Sequence, residues 1–579
     1  MIINNLKFFN KLFKIGNLNY FYFIYLVLLF VILSGIELIS IAAIYPFIKL
    51  LITQDAVSFG YFDKFFQNIE KKDLILLMSL SLIVIFFLKN ALSFLIRWRL
   101  AVFSWNSLVR LRKKLSTIYT NLPYEEFLHR GRNELLTNVK ELTRVCIQAL
   151  EGFLNLTSEL LVISVIVFYL FYLNFFSTLV ILLSFIFLIG LYYYFFKKRV
   201  VTYGDEHVAG ENILTSSLNN IFAGLKEAKV LSKEDHFLNK VSFISEKIST
   251  VNIKNQLINN IPRHFLEIFF VSAAMLFIYF SVIKGHVYTD IILTIGVYAV
   301  AAFRIFPSTS KIIVSINDMI FAKAATDRIF KDLIDGHSIA SNPKKQSLTN
   351  KKDILSHIEF KDVDFKYKNA DQLVIKNINL KIKSKELIGI IGSSGIGKST
   401  FVDIILGFLK PTKGNFNFVS NSMQNMTGNF ASYLPQEPIL VNGTIEENIT
   451  FENQSDNKIN NKKVNEALNF SDLKKFVDTL KNGTKTLLGD KGINLSIGQK
   501  QRLALARCFY FDREVMILDE PTSSLDDETQ DNIFNNIKHL KGKKTIIIVS
   551  HNLKTLKACD KVLRFENKTF SEIDINEKY

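Results

Sequence analysis

The chain has 579 residues, 49% of them hydrophobic, a mean hydropathy of +0.22 and a formal net charge of +17. That is long enough for two or three domains and too apolar for a wholly soluble protein. The cations are scattered and flank apolar runs instead of forming one patch, which argues against a nucleic-acid partner, and Cys146, Cys508 and Cys559 have neither metal-ligand nor disulfide spacing.

A membrane-spanning helix needs about 20 mostly apolar residues, and the first half of the chain offers six such runs, at 20–48, 74–96, 153–174, 177–196, 265–283 and 287–315. The first begins near Tyr20, is long enough to span and lacks a small-residue cleavage site, so it reads as a retained helix and not a signal peptide. The third and fourth form one long run, divided at the polar Asn174 into a hairpin.

Orientation follows from the cations. Lys7, Lys11 and Lys14 precede the first run, Arg97, Arg99, Arg110, Arg112, Lys113 and Lys114 follow the second, and Lys197, Lys198 and Arg199 follow the fourth. All three groups place these ends in the cytoplasm. Residues 51–73 then lie outside, with a short amphipathic helix expected over 61–69. The polar connections 97–152 and 197–264 have helical periodicity and read as cytoplasmic extensions of the spans.

A Ser-, Asn- and Lys-rich stretch, 335–353, reads as a linker between a membrane domain, 1–334, and a soluble domain, 354–579, in which strand-like and helix-like segments alternate. There the apolar run Leu387–Ile391 leads into Gly392, Ser393, Ser394, Gly395, Ile396, Gly397, Lys398 and Ser399, a G-x-x-x-x-G-K-S phosphate loop before a helix expected to start near Thr400. Its glycines let backbone N–H groups close on phosphate oxygens, Lys398 reaches the outer phosphates, and Ser399 suits magnesium. Further on, Val515–Leu518 is a buried-strand pattern ending in two acids, Asp519 for the metal and Glu520 to polarise the attacking water.

The order of motifs in this second half resembles that of the ABC ATPases throughout. Leu495-Ser496-Ile497-Gly498-Gln499 resembles the ABC signature, Tyr433-Leu434-Pro435-Gln436 the Q-loop, Ser523-Ser524-Leu525-Asp526 the D-loop, and Val549-Ser550-His551 the switch histidine. The resemblance implies ATP and Mg²⁺ as cofactors. Tyr367 would stack on adenine, Gln436 contact metal and water, and His551 hold the γ-phosphate region. Ser496, Gly498, Gln499 and Asp526 would complete a nucleotide site. Ile497 departs from the family, standing where a glycine is usual, and this implies slower turnover or a heterodimer with an intact partner. The resemblance otherwise implies a homodimer, because one copy's signature completes another's phosphate site.

With six spans before it, the whole chain resembles the exporter-type half-transporters: an α-helical membrane domain of six transmembrane helices followed by an α/β P-loop ABC ATPase domain. Leu122–Phe127 and Leu218–Val230 resemble their two coupling regions. Ile36-Glu37, Ile261-Pro262-Arg263, Leu266-Glu267, Phe303-Arg304 and Pro307-Ser308 resemble the PglK-type bacterial flippases. That likeness implies a lipid-linked oligosaccharide substrate in the plasma membrane of a bacterium. The topology puts Lys89, Arg263 and Arg304 in the cytoplasmic half of the membrane, where cations are costly unless paired or hydrated, and an anionic pyrophosphate headgroup suits them. Arg263 can instead pair with Glu267 one turn on, Lys89 can snorkel to the interface, and Glu37 can pair with a cation or meet a sugar hydroxyl. Export of a peptide, a toxin or another lipid is the other reading of the same machinery.

Overall fold

The structure is a computed structural model that describes residues 2–17, 20–52, 70–173, 175–283, 288–340, 355–368, 370–421, 430–452, 459–489 and 493–573. The expected amphipathic helix at 61–69 and the dividing residue Asn174 lie outside them. The chain forms two compact units, one of residues 1–122 and 127–341, the other of residues 123–126 and 342–579.

The first unit is helical: α1 (Ile2–Gly16), α2 (Tyr20–Ala42), α3 (Ile44–Ile52), α4 (Lys71–Thr120), α5 (Tyr124–Arg130), α6 (Arg132–Thr137), a π-helical turn at Asn138–Leu142, α7 (Thr143–Leu173), α8 (Phe175–Ala223), α9 (Leu225–Val230), α10 (Glu234–Ile283), α11 (Tyr288–Phe321) and α12 (Lys323–Ala340). Among the described residues, four helical stretches are long and apolar enough to cross a membrane, at Tyr20–Ile48, Lys71–Thr120, Arg132–Leu173 and Tyr298–Phe321. Only 6% of the most apolar window of α4 is buried within the protein. Side chains such as Phe87, Phe168 and Tyr194 face outward, as lipid-facing residues must.

Helices α4 and α10 have 50 residues each and α8 has 49. At 1.5 Å per residue each is about 75 Å long, more than twice the hydrocarbon thickness of about 30 Å. Each of these three helices therefore runs without a break from an apolar run into part of the neighbouring polar connection. Helix α12 also continues to Ala340, so residues 335–340 of the expected linker are helical.

Close helix approaches rest on glycine. A Cβ at Gly204 would lie 2.1 Å from the carbonyl oxygen of Phe321, which brings α8 against the end of α11. Pro262 inside α10 has no N–H for the carbonyl of Ile258 one turn back. Tyr192 on α8 supplies the missing donor: its hydroxyl donates to that carbonyl at 3.0 Å and accepts from Asn317 Nδ2 at 2.7 Å. At another junction Asp332, 5% exposed, accepts from the Tyr119 hydroxyl at 2.5 Å and Arg130 Nη1 at 2.6 Å, which ties α4, α5 and α12 together.

The second unit is α/β. Its main sheet has the order β11-β10-β3-β9-β8-β5, with β3 (Leu387–Ile391), β5 (Ala431–Leu434), β8 (Val515–Asp519), β9 (Thr545–Val549) and β10 (Lys561–Glu566) parallel and β11 (Thr569–Ile573) antiparallel at the edge. Strand β9 is buried along its whole length, as expected of a central parallel strand with the sequence TIIIV. A second, antiparallel sheet has the order β2-β1-β4, from β1 (Leu355–Phe365), β2 (Ile375–Lys383) and β4 (Lys413–Ser420), and a third pairs β6 (Gly443–Thr444) with β7 (Leu487–Leu488). Because β3, β9, β8 and β5 are parallel neighbours, their C-terminal ends share one edge, the place where open α/β sheets bind ligands. Residues 123–126 belong to this unit: within it the Tyr124 ring lies 5.0 Å from that of Phe408, and the Lys368 N–H donates to Glu125 Oε1 at 3.3 Å.

Candidate functional site

The shared strand edge gathers residues from four loops. After β3 the phosphate loop turns with Gly395 and Gly397 at φ of 78° and 120°, left-handed values that favour glycine. The helix α13 (Lys398–Ile405) begins directly after it, two residues earlier than the sequence suggests. Residues Gly392–Gly397, with Ser399 and Thr400 in the helix's first turn, form an N-terminal cradle of backbone donors. Lys398 folds back over the loop, where its ammonium bonds the carbonyl of Gly392 and, at 2.9 Å, that of Ser393.

Strand β8 carries Asp519 and Glu520 to the same edge. Glu520 adopts φ 49°, and its backbone is pinned on both sides: its N–H donates to the Val549 carbonyl at 2.8 Å and its carbonyl accepts from Gln501 Nε2 at 2.5 Å. The turn aims the carboxylate between two neighbours. Gln436, just beyond β5, donates from Nε2 to Glu520 Oε2 at 3.3 Å, and His551, just beyond β9, holds Nε2 3.6 Å from Oε1. Each oxygen of Glu520 therefore faces one of the two residues expected to share its work.

Burial and mutual repulsion shape the charges here. Burial holds the Asp519 carboxyl above the usual carboxylate range, the Glu520 charge adds to this, and Lys398 and the Tyr433 hydroxyl oppose it. Burial lowers the Lys398 ammonium, against the pull of Glu520 and Asp519. Asp403, the sixth residue of α13, is pushed up to about 6, by burial first and by Asp519 second. Among the described residues, Lys398 is the cation set against these acids, with His551 beside Glu520. A hard divalent cation fits the oxygen donors offered by Ser399, Gln436 and Asp519.

Tyr367 sits 5.0 Å edge-on to Phe365, and its hydroxyl is 3.1 Å from Thr400 Oγ1, which fixes the ring beside the phosphate-loop helix. Ser496 caps α14 (Ile497–Tyr510): its hydroxyl accepts from the Gln499 N–H at 3.2 Å, and the Gln499 side chain accepts from the Ser496 N–H at 2.9 Å. A Cβ on Gly498 would come within 2.9 Å of both Leu525 Cδ2 and the Ser524 carbonyl, so the signature packs on the D-loop only through glycine. Ile497 is 70% exposed at this helix mouth. Asp526 caps the helix Asp527–Lys538, accepting from the Thr529 N–H at 3.0 Å. Gln501, the buried polar residue in the second turn of α14 that bonds the Glu520 carbonyl, is a site residue that sequence reasoning misses.

In the first unit, the candidate substrate residues divide. Arg304 bonds Glu37, approaches Glu159 Oε2 at 3.3 Å and donates to Ser308 Oγ at 2.8 Å; Glu159 also takes the Lys311 ammonium at 2.8 Å. Glu37 and Glu159 are 4% and 7% exposed, and with the partly exposed Arg304 and Lys311 they form one charge-balanced cluster of two acids and two cations between α2, α7 and α11. Arg263 pairs with Glu267 at 3.0 Å on an exposed helix face, and Lys89 lies 4.6 Å over the Phe86 ring. Sequence reasoning missed Glu159 and Lys311, although an acid inside the apolar run 153–174 is the same signal that singled out Glu37.

Comparison with known proteins fits this geometry. Residues 375–523 match the family model described as ABC transporter. Proteins named export ATP-binding/permease protein in Rickettsia typhi and Rickettsia prowazekii are 29% and 30% identical over 382 residues, 64% of this chain and 64% of each of them. The chain thus spans just under two thirds of the length of these relatives. An ATP-dependent lipid A-core flippase of Cupriavidus pinatubonensis is 23% identical over 83% of this chain and 81% of its own. The solved structure of a bacterial Atm1-family ABC exporter with ATP bound superposes with a TM-score of 0.72 at 17% identity, covering 94% of this chain and 93% of that one. The fold is that of an ABC exporter, a helical membrane domain followed by an ABC transporter ATPase domain.

Proposed function

We propose that this chain is an ATP-driven exporter that works as a homodimer and moves a lipid-linked oligosaccharide, or a related polyprenyl-pyrophosphate glycolipid, across a bacterial plasma membrane. The ATPase domain and N-terminus lie on the cytoplasmic side. The observation that carries the ATP-driven part is the convergence of Gln436 and His551 on the two oxygens of Glu520, beside the phosphate loop. In this reading Glu520 accepts the proton of the attacking water, Gln436 orients that water, and His551 steadies the charge that develops at the outer phosphate. Lys398 leaves the loop carbonyls for phosphate oxygens, which the backbone donors of Gly392–Gly397 hold. Magnesium, held by Ser399, Gln436 and Asp519, would neutralise phosphate charge and polarise the bond that breaks.

The second copy enters through the signature. Ser496 and Gly498 open a helix N-terminus at the surface, a ready anion site, and in the dimer it would cover the other copy's outer phosphate. Closure on ATP and release after hydrolysis give two states that drive the long helices.

The glycolipid reading rests on the likeness of the membrane segments, with support from a lipid flippase among the relatives. Arg304 and Lys311 are the partly exposed cations an anionic headgroup would approach, and it would compete there with Glu37 and Glu159. The test is ATP-dependent translocation of a lipid-linked oligosaccharide in proteoliposomes containing only this protein. Translocation supports a self-sufficient homodimer; robust ATPase without it sends the search to peptide, toxin or other lipid cargo.

A further inference from the structure

Helix α5 belongs to both units: residues 123–126, where Tyr124 meets Phe408, are part of the second, and the chain from residue 127 is part of the first. The helix ends at Arg130 and α6 starts at Arg132, so a single residue, Gly131, joins them. Gly131 has φ 75° and ψ 150°, a combination that is essentially glycine's alone. A Cβ there would meet nothing within 4 Å among the described residues, so the backbone conformation and not crowding calls for glycine. Packing at the joint itself therefore does not set the angle between α5 and α6.

Two ion pairs set it from either side. Arg130, the last residue of α5, donates from Nη1 to Asp332 Oδ1 at 2.6 Å, and Glu134 on α6 accepts from Arg328 Nη2 at 2.6 Å. Arg130 and Glu134 are four positions apart across the glycine, and Arg328 and Asp332 are four positions apart on α12, one turn or about 6 Å along its axis. The ladder is antiparallel, with one cation and one acid on each side. At one end Asp332 is buried and also accepts from the Tyr119 hydroxyl at 2.5 Å and from Asn138 Nδ2 at 3.3 Å; at the other, Arg328 and Glu134 are partly exposed. A buried pair adds little net stability over apolar packing, and its best-attested use is to fix register. Above the joint, Arg112 on α4 donates from Nη2 to the Lys140 carbonyl at 2.9 Å and braces the π-helical turn that leads into α7.

We propose that Arg130, Glu134, Arg328 and Asp332 are positioning residues that lock the Gly131 joint, so that a displacement of α5 reaches α7 and α12 instead of being absorbed as a swivel at the glycine. An unlocked glycine is the kind of position that takes up a change of φ and ψ without moving its neighbours. The four side chains touch no nucleotide-site residue among their printed partners, so their loss should separate hydrolysis from motion. This role rests on the ATP-driven reading above, which supplies the motion.

The test reads hydrolysis and motion on one preparation. The full chain, with its three native cysteines replaced by alanine, carries spin labels at Leu76→Cys and Val282→Cys, exposed positions on α4 and α10, and their separation is measured in lipid nanodiscs with and without ATP and vanadate. Arg328→Glu sets two carboxylates against each other at the open end of the clasp; it should reduce the ATP-dependent change in separation to about half or less while hydrolysis stays within about twofold. Adding Glu134→Arg remakes the pair with its charges exchanged and should restore the change. Asp332→Asn, which keeps an acceptor for Tyr119, probes the buried end and should act as Arg328→Glu does. Motion indifferent to both Arg328→Glu and Asp332→Asn overturns the proposal. So does loss of hydrolysis and motion together in step with a lowered unfolding midpoint, or failure of the exchanged pair to restore motion, because either reduces the pairs to scaffold. The two readings fail distinguishably: a wild type that hydrolyses ATP with its labels unmoved removes the ATP-driven reading and the clasp's role with it, whereas wild-type motion that survives both substitutions removes the clasp alone.

Discussion

Replacing Glu520 by glutamine keeps the side chain's length and one oxygen while it removes the charge and one acceptor. The backbone around Glu520 is held by Val549 and Gln501 independently of the side chain, so the turn at φ 49° survives the change. What disappears is the base. Loss of a positioned general base costs about 10²- to 10⁴-fold in rate, or about 3 to 5 kcal/mol at the usual conversion. Nucleotide binding should persist, because Lys398 and the Gly392–Gly397 loop are untouched. It should even tighten, since Glu520 is one of the charges that raise the Asp519 carboxyl, and its removal favours the ionised, metal-binding form of Asp519. The assay pairs phosphate release with equilibrium binding of a fluorescent ATP analogue, on the same Glu520→Gln preparation. Hydrolysis within about threefold of the wild type would refute the base assignment, because no water-mediated substitute recovers so much of the rate. Loss of binding together with hydrolysis would instead show that Glu520 supports the phosphate cradle.

Arg304→Ala leaves Glu37 and Glu159 with Lys311 as their shared counter-charge, and breaking a buried pair in this way should destabilise the membrane domain by about 3 to 5 kcal/mol; thermal unfolding in nanodiscs measures it, and an unchanged midpoint would mean the cluster is hydrated. Ile497→Gly should raise kcat about fivefold if an exposed side chain at the signature holds nucleotide off by about 1 kcal/mol, and steady-state ATPase rates that do not move would clear the residue. Asp403 has a folded-state pKa raised to about 6 from 3.8, so its contribution to stability is full below the lower value and lost as pH rises through the upper one. Asp403→Asn should therefore flatten the fall in unfolding midpoint between pH 4 and about 6 and raise the midpoint at neutral pH.

The parts of this protein that were legible in the sequence are local. The phosphate loop, the buried hydrophobic run that ends in Asp519 and Glu520, and the apolar runs are all contiguous stretches whose chemistry depends on spacing within about twenty residues. The strand that precedes the loop has the bounds the sequence gives it, Leu387–Ile391. What escaped is set by tertiary neighbours. Glu159 meets Ser308 and Lys311 across about 150 positions, and no pattern within the run 153–174 says which cation will arrive. Helix continuity was legible, because the polar halves of α4, α8 and α10 keep the helical period that marks them as extensions of the spans, while the break near 231–233 carries no comparable signal.

The tyrosine that caps the gap left by Pro262 has a mechanical consequence. An ordinary long helix resists bending because every rung of its own ladder must stretch. At Ile258 the rung is held by a hydroxyl on α8, and that hydroxyl is anchored in turn by Asn317 on α11. Flexing α10 at this level therefore exchanges one borrowed bond and leaves its own ladder whole, so stiffness at the joint is set by two neighbouring helices. If they slide, the joint softens; if they return, it stiffens again, and a shaft about 75 Å long acquires a clutch at its midpoint.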